Sequence, residues 1–460
     1  MSFMVIDYTR EKYPVFIYRD YSIKRDKDEI ILAFNFTIEG LTDFSPEIRI
    51  DTSNLTLLNS FDSETANRIV FALGLVEAVS YFKAVCPKTI KVLCGTLSEK
   101  QIHWFKKLWY NGLGEFFYIN NIDIDFESFI EIEARKETKE PPDEFIKGGL
   151  NLIPIGGGKD SCVTLSLLKN RKNLFITINE QKARTECVKA AGFGKDYIIK
   201  VKRDIDKRLL ELNKQGFLNG HTPFSAIVAF LSLYCAYITG CENIALSNEA
   251  SANEGNINGG DINHQYSKSF QFESDFRDYV STFIMNGIEY FSLLRPFNEL
   301  QIAKYFSLEK EYHKAFRSCN KGASKNIWCG KCSKCLFVFG ILSPFLTDEE
   351  IIQIFSKNLF DDYSLLSEFK SLYGSSPIKP FECVGTAREY LFAISKKTLM
   401  LKEKGKKLPF LLDYLDKTEN IKSIVKEGED LLFEFNSQHC VPKRFMFAVE
   451  EMKKVAAKSD

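Results

Sequence analysis

The run Asn151-Leu152-Ile153-Pro154-Ile155-Gly156-Gly157-Gly158-Lys159-Asp160-Ser161 constrains this chain more than any other part of it. An apolar stretch ends in three consecutive glycines, and an amphipathic segment, Cys162 to Lys169, follows at once. That order predicts a strand, a tight turn and a helix start. Glycines let the backbone approach a ligand closely and turn several N–H groups onto one point. Ser161 is placed to cap the helix, whose positive N-terminus would add to an anion site. The motif reads as a phosphate cradle built from Gly156, Gly157, Gly158, Lys159, Asp160 and Ser161. An ordinary glycine-rich strand-to-helix turn is the competing reading. The G-x-x-x-x-G-K-[ST] spacing of a Walker loop is absent.

The flanking pattern supports a parallel sheet. Strands are expected at Asn151–Ile155, Leu174–Ile178, Tyr197–Val201 and Asn243–Leu246, with helices at Ser161–Lys169, Gln181–Ala191 and Pro223–Ile238 between them. Such alternation implies an α/β, doubly wound sheet with its ligand at the carboxyl ends of the strands. Before it, β-like runs (Val15–Tyr18, Glu29–Phe36) mix with helical stretches (Asn67–Phe82, Ser98–Trp109). The charged, proline-ended segment Glu131–Glu144 reads as a linker. Three regions are expected: an N-terminal α+β domain at 1–147, a nucleotide domain at 148–316, and a helical region with a cysteine motif at 317–460.

Composition excludes several classes. Lys plus Arg equals Asp plus Glu at 61 each, so no global field draws the chain to nucleic acid. The N-terminus lacks a positive region followed by an apolar core, and no apolar run is long enough to span a bilayer. A cytoplasmic enzyme, off the membrane, is expected. The residues carry no signal for an oligomeric state.

Twelve cysteines in that setting argue for thiols or a metal site. Cys319, Cys329, Cys332 and Cys335 follow a C-x9-C-x2-C-x2-C spacing, and Gly330 permits a tight turn between ligands. Four thiolates can close a tetrahedral zinc site with no open position, so its role would be structural. Lys331 and Lys334 would offset its charge. An iron–sulfur cluster is the alternative, although no proline follows the last cysteine.

The Gly-Gly-x-Asp-Ser core of the loop resembles the pyrophosphate-binding loop (PP-loop) of ATP pyrophosphatases, which cleave ATP to AMP and pyrophosphate. On that reading Glu249, in the polar loop Ser247–Asn256, and Asp160 would bring carboxylates to a Mg²⁺ that binds ATP phosphates. A solvated Asn-rich loop is the bland alternative. In the block Asn263–Ser269, His264 suits proton transfer near neutral pH, and Lys268 suits phosphate or carboxylate. Arg295, before Pro296, reads as a cation at another strand end, or as a surface residue at a turn. Cys383, just before the helix expected at Arg388–Ile394, is either a usable base or an inert buried thiol.

Together the loop, Arg295-Pro296 and the late cysteine cluster resemble the adenine nucleotide α-hydrolase superfamily. The blocks Pro154–Ser161, Ser247–Asn253, Asn263–Ser269, Trp328–Gly330, Cys332–Cys335 and Pro380–Gly385 more closely resemble the ATP-dependent UDP-N-acetylmuramoyl-L-alanyl-L-glutamate epimerases of bacterial wall synthesis. These blocks span about 150 to 390 of the sequence. The resemblance implies a PP-loop fold and adenylation of the terminal L-glutamate by ATP. Inversion at the α-carbon and release of AMP and pyrophosphate would follow. It further implies a UDP-N-acetylmuramoyl dipeptide as substrate, its UDP-sugar a candidate ligand of residues 1–147; such inversion needs two proton-transfer groups, for which the residues offer His264 and Cys383, with Glu249 in reserve. A PP-loop ligase or a tRNA- or nucleobase-modifying enzyme of the queuosine-precursor type would use the same ATP site. A regulatory ATP-binding module would bind without turnover.

Overall fold

Alternating apolar residues build one large mixed sheet. The computed structural model describes residues 8–136, 145–253, 266–375 and 384–458, whose strands all join it. In the N-terminal half, β1 (Val15–Asp26), β2 (Glu29–Ile38) and β4 (Glu47–Asp51) pair antiparallel around β2, which also carries the short β3 (Thr42–Phe44). β1 extends in parallel to β5 (Thr89–Thr96), and β5 to β6 (Glu131–Arg135). Ile30, Leu32, Phe34, Phe36 and Ile38 of β2 all enter one core, the period-2 pattern of a strand with one buried face. Helix α1 (Glu64–Phe82) packs on β1 and β2, and α2 (Glu99–Gly112) begins at a Ser98–Gln101 capping box.

The second half is wholly parallel: β7 (Leu150–Pro154), β8 (Asn173–Ile178), β9 (Ile198–Asp204), β10 (Cys241–Leu246) and β11 (Glu289–Ser292), in the spatial order β9-β8-β7-β10-β11. Here successive residues serve two cores. Leu152, Ile176, Ile199, Ile244 and Tyr290 face one, and Ile153, Phe175, Ile198, Ala245 and Phe291 the other. Both faces are therefore buried, as parallel strands require. The first core includes α4 (Phe224–Thr239) and α5 (Phe270–Phe283). The second includes α3 (Lys159–Leu168), α6 (Glu299–Leu308), α7 (Ser333–Leu342), α8 (Ala387–Glu403) and α9 (Met446–Ala456). The order in which strands are added reverses between β7 and β10, so the loops leaving those two parallel strands flank the crevice where such sheets bind ligands.

Two features depart from expectation. The N-terminal strands and the parallel strands form a continuous sheet, because β4 pairs antiparallel with β9, Ile48 opposite Arg203 and Ile50 opposite Val201. Glu131–Arg135, read as the start of a linker, is strand β6: Ile132 is buried beneath its charged neighbours, and the pairing with β5 outweighs their polarity. Residues 137–144 lie outside the described structure. Among the described residues no helix is long and apolar enough to cross a membrane.

Candidate active site

The glycine loop leaves β7 at the reversal point. Gly157 has φ +83°, and a Cβ there would lie 3.2 Å from both the Arg184 nitrogen and the Ala183 Cβ. Only glycine meets both demands without strain. Gly156 instead borders open space, with nothing within 4 Å of an added Cβ. Gly158, extended at φ −90° and ψ 176°, is the N-cap of α3, so the helix starts at Lys159, earlier than expected. Ser161 is consequently not the cap. It sits in the first turn and reaches back, donating to the Gly158 carbonyl (2.9 Å) and accepting from the Gly157 N–H (3.2 Å). Its hydroxyl braces the loop from within.

Lys159, the first residue of α3, has a buried side chain. Its ammonium contacts the Asp160 and Glu299 carboxylates. Burial opposes its charge, but Asp160 and Glu299 prevail and hold its pKa above the ordinary lysine value. Burial also pushes the Glu299 carboxyl above the usual carboxylate range; Lys159 and Lys334 pull it down, while Asp160 and Glu249 add to the rise. Asp160 and Glu249 thus lie close enough to Glu299 to oppose its ionisation.

Glu299 is the residue that sequence reasoning passed over. Asn298 and Gln301 form a capping box that starts α6 and sets Glu299 in its first turn. The Asn-x-x-Gln spacing was a readable helix-start signal. The pairing with Lys159, 140 positions away, left no local trace.

The loop after β10 supplies the other wall. Ser247 donates to Thr164 of α3 (2.8 Å), and Ser251 donates to the buried Glu249 carboxylate (3.4 Å). Arg295, expected as a cation at a strand end, is fully buried and faces the protein. Its guanidinium donates to the Glu249 carbonyl (2.7 Å) and the Lys268 carbonyl, and pairs with Glu273 (3.2 Å). It clamps the chain on both sides of residues 254–265. His264 lies within that stretch and Cys383 within 376–383, both outside the described residues. The described chain resumes at Val384, and Gly385 packs against Glu299. Lys268 ends a short 3₁₀ turn, Tyr266–Lys268, and is half-buried.

Cys319, Cys329, Cys332 and Cys335 converge as their spacing foretold. Their sulfurs all lie within 4.8 Å of one another, with Cys332–Cys335 at 3.5 Å, Cys329–Cys335 at 3.7 Å and Cys319–Cys332 at 4.0 Å. Tetrahedral Zn–S bonds of about 2.3 Å require sulfurs roughly 3.8 Å apart, so the cage can bind a structural zinc. An iron–sulfur cluster places one thiolate on each of several irons and would spread the sulfurs further. Backbone N–H groups of Gly322, Cys329, Lys331 and Cys335 donate to the sulfurs, which favours thiolates. Hydrogen bonding from the Cys335 side chain, opposed by burial and aided by the Cys335 N–H, brings the Cys332 thiol down to about 5.

Cage and loop are mechanically joined. The Arg317 N–H donates to the Gly157 carbonyl (2.7 Å), and Ser318 packs on Gly158, directly before Cys319.

A family model described as the MurL N-terminal domain matches residues 7–293, and one described as the MurL C-terminal domain matches residues 314–425. A protein of Xanthomonas oryzae pv. oryzae named UDP-N-acetyl-alpha-D-muramoyl-L-alanyl-L-glutamate epimerase is 34% identical over 330 residues, covering 69% of this chain and 71% of its own length. Proteins of the same name from a Micromonospora species and from Salinispora tropica are each 33% identical, covering 72% of this chain and 75% and 73% of their own lengths. No solved structure matches. With both family domains present in order along the sequence and this similarity to three relatives, the chain belongs to the MurL family.

Proposed function

We propose that this chain is an ATP-dependent epimerase that converts the terminal L-glutamate of UDP-N-acetylmuramoyl-L-alanyl-L-glutamate to D-glutamate in peptidoglycan precursor synthesis. The similarity to relatives named for that epimerisation carries the reading. The glycine loop at the sheet's reversal point supports its ATP step. On this reading residues 148–316 form a PP-loop ATP-binding domain, residues 1–147 recognise the UDP-sugar, and residues 317–460 carry the zinc motif. The setting is cytoplasmic.

The chemistry follows from what inversion needs. The α-carboxylate of the glutamate attacks the α-phosphorus of ATP, the bond to the β-phosphate breaks, and pyrophosphate leaves. Gly156, Gly157, Gly158, Asp160 and Ser161 hold the phosphates. Asp160 and Glu249 hold Mg²⁺, which neutralises phosphate charge. Esterified as the adenylate, the former carboxylate no longer repels a carbanion, so its α-proton becomes acidic. One group takes that proton, its electron pair delocalises into the acyl carbonyl, and a second group returns a proton to the opposite face. Water then releases AMP. His264 and Cys383 are the proposed pair, with Glu249 in reserve and Lys268 on the glutamate side chain or phosphate. Arg295, buried as it is, acts by holding the two ends of the His264 segment.

The experiment is acceptor dependence. Protein with ATP and Mg²⁺ should form AMP when the UDP-muramoyl L-Ala-L-Glu dipeptide is added, and not with tRNA or a free nucleobase precursor. AMP formation that follows a nucleic-acid or nucleobase acceptor would replace this reading with a queuosine-precursor type of activity. ATP binding with no turnover on any acceptor would leave a regulatory module.

A further inference from the structure

We infer that Glu299 is a positioning residue: it anchors Lys159, where the glycine loop meets α3, and thereby sets the loop's affinity for the ATP phosphates. The role of the phosphates rests on the function proposed above; the anchoring rests on geometry.

Lys159 has two carboxylate partners, and they differ. The Asp160 side chain is 26% exposed and stands on the crevice rim, whereas Glu299 is 2% exposed and closed in on every side. Gly385 presses on it so tightly that a Cβ there would fall 2.7 Å from the Glu299 Cγ. The Glu299 N–H donates to Glu389 (2.6 Å), whose other oxygen accepts from the Thr386 N–H (2.6 Å) at the start of α8. Two helix starts therefore lock Glu299 in place. Asp160 keeps part of its side chain open to solvent, and Glu299 does not.

A buried ammonium without a carboxylate partner is strongly disfavoured. When Asp160 is recruited by a bound ligand, Glu299 is the partner that keeps Lys159 charged and in place. Lys159 is the residue that joins Gly156–Gly158 to α3, so holding its side chain fixes the end of the loop from which the helix starts.

The test is calorimetric titration of the intact protein with MgATP, with turnover on the UDP-dipeptide measured alongside. Glu299→Gln keeps the shape and removes the charge. It should weaken MgATP binding by about tenfold or more, the scale of a lost charged hydrogen bond, and raise the KM for ATP while leaving that for the dipeptide within about twofold. Glu299→Asp should recover part of the affinity. In a cycle with Lys159→Met, the double variant should bind no worse than Lys159→Met alone. Gly385→Ala, which displaces the carboxylate without removing it, should weaken MgATP in the same direction and covers the case in which Glu299→Gln fails to fold. Parent-like MgATP affinity in both Glu299→Gln and Gly385→Ala, or additive effects in the cycle, would overturn the anchoring role. So would a parent protein that does not bind MgATP. If the parent binds MgATP but does not turn over the dipeptide, the proposed reaction fails and the titration still decides the anchor.

Discussion

The glycine crevice and the cysteine cage touch each other through Arg317 and Ser318, yet they are assembled in opposite ways. The cage draws its four ligands from residues 319–335, so their spacing alone brings them together. The crevice draws on β7, the β10 loop, the start of α6 and the start of α8, which only the finished sheet brings into one place. The cage offers a closed shell of four sulfurs. The crevice offers an open edge, a group of neighbouring carboxyls and a helix start. One is suited to hold structure, the other to bind and change a ligand.

Breaking the cage should have the largest effect and should spread to the crevice. Cys332→Ser should abolish binding of one zinc per chain in elemental analysis and destabilise the protein by about 3 kcal/mol or more in denaturant unfolding. It should also weaken MgATP, because Arg317 and Ser318 lose their anchor. A variant that loses zinc but keeps stability and MgATP affinity would show the two regions to be independent. Iron in the parent protein would replace the zinc assignment.

Asp160→Ala should separate the regions in the other direction. Pyrophosphate release should fall by at least about 100-fold, because the Mg²⁺ that would neutralise developing phosphate charge loses a ligand. Zinc content and unfolding midpoint should stay near those of the parent, because the Asp160 side chain is partly exposed. Near-parent turnover would remove the loop from the mechanism.

Within the loop itself the contrast is finer. Gly157→Ala forces a side chain into the left-handed region against Arg184 and should cost about 1–2 kcal/mol of stability. Gly156→Ala meets open space and should change stability by no more than about 0.5 kcal/mol. Equal losses at the two positions would mean that the loop backbone differs from the one described.

The same contrast explains what could be read from the chain. The strands from Leu150 to Leu246 were legible because apolar runs buried on both faces stand out between polar turns. The cage was legible because its ligands are close in sequence. The β4–β9 join was not: the short alternation around Ile48 and Ile50 names no partner, and that partner lies about 150 positions on. β6 was taken for a linker because its charges are visible and its pairing is not. Arg295 was expected to face a ligand because sequence does not mark the backbone carbonyls of Glu249 and Lys268 that claim it. Ser161 was expected as the cap because the extended backbone of Gly158, which takes that place, carries no side chain to announce itself. Lys159 and Glu299 are each ordinary alone.

The central claim is that ATP cleavage at the glycine loop drives inversion at the glutamate α-carbon. The direct measurement is turnover of the L-glutamate dipeptide with MgATP in deuterated water, following AMP, product configuration and α-deuterium together. The account predicts D-glutamate carrying deuterium at the α-carbon, at least one AMP formed for every inversion, and neither product in Asp160→Ala. Inversion without AMP, or AMP formation with the α-proton retained and the L configuration unchanged, would contradict it.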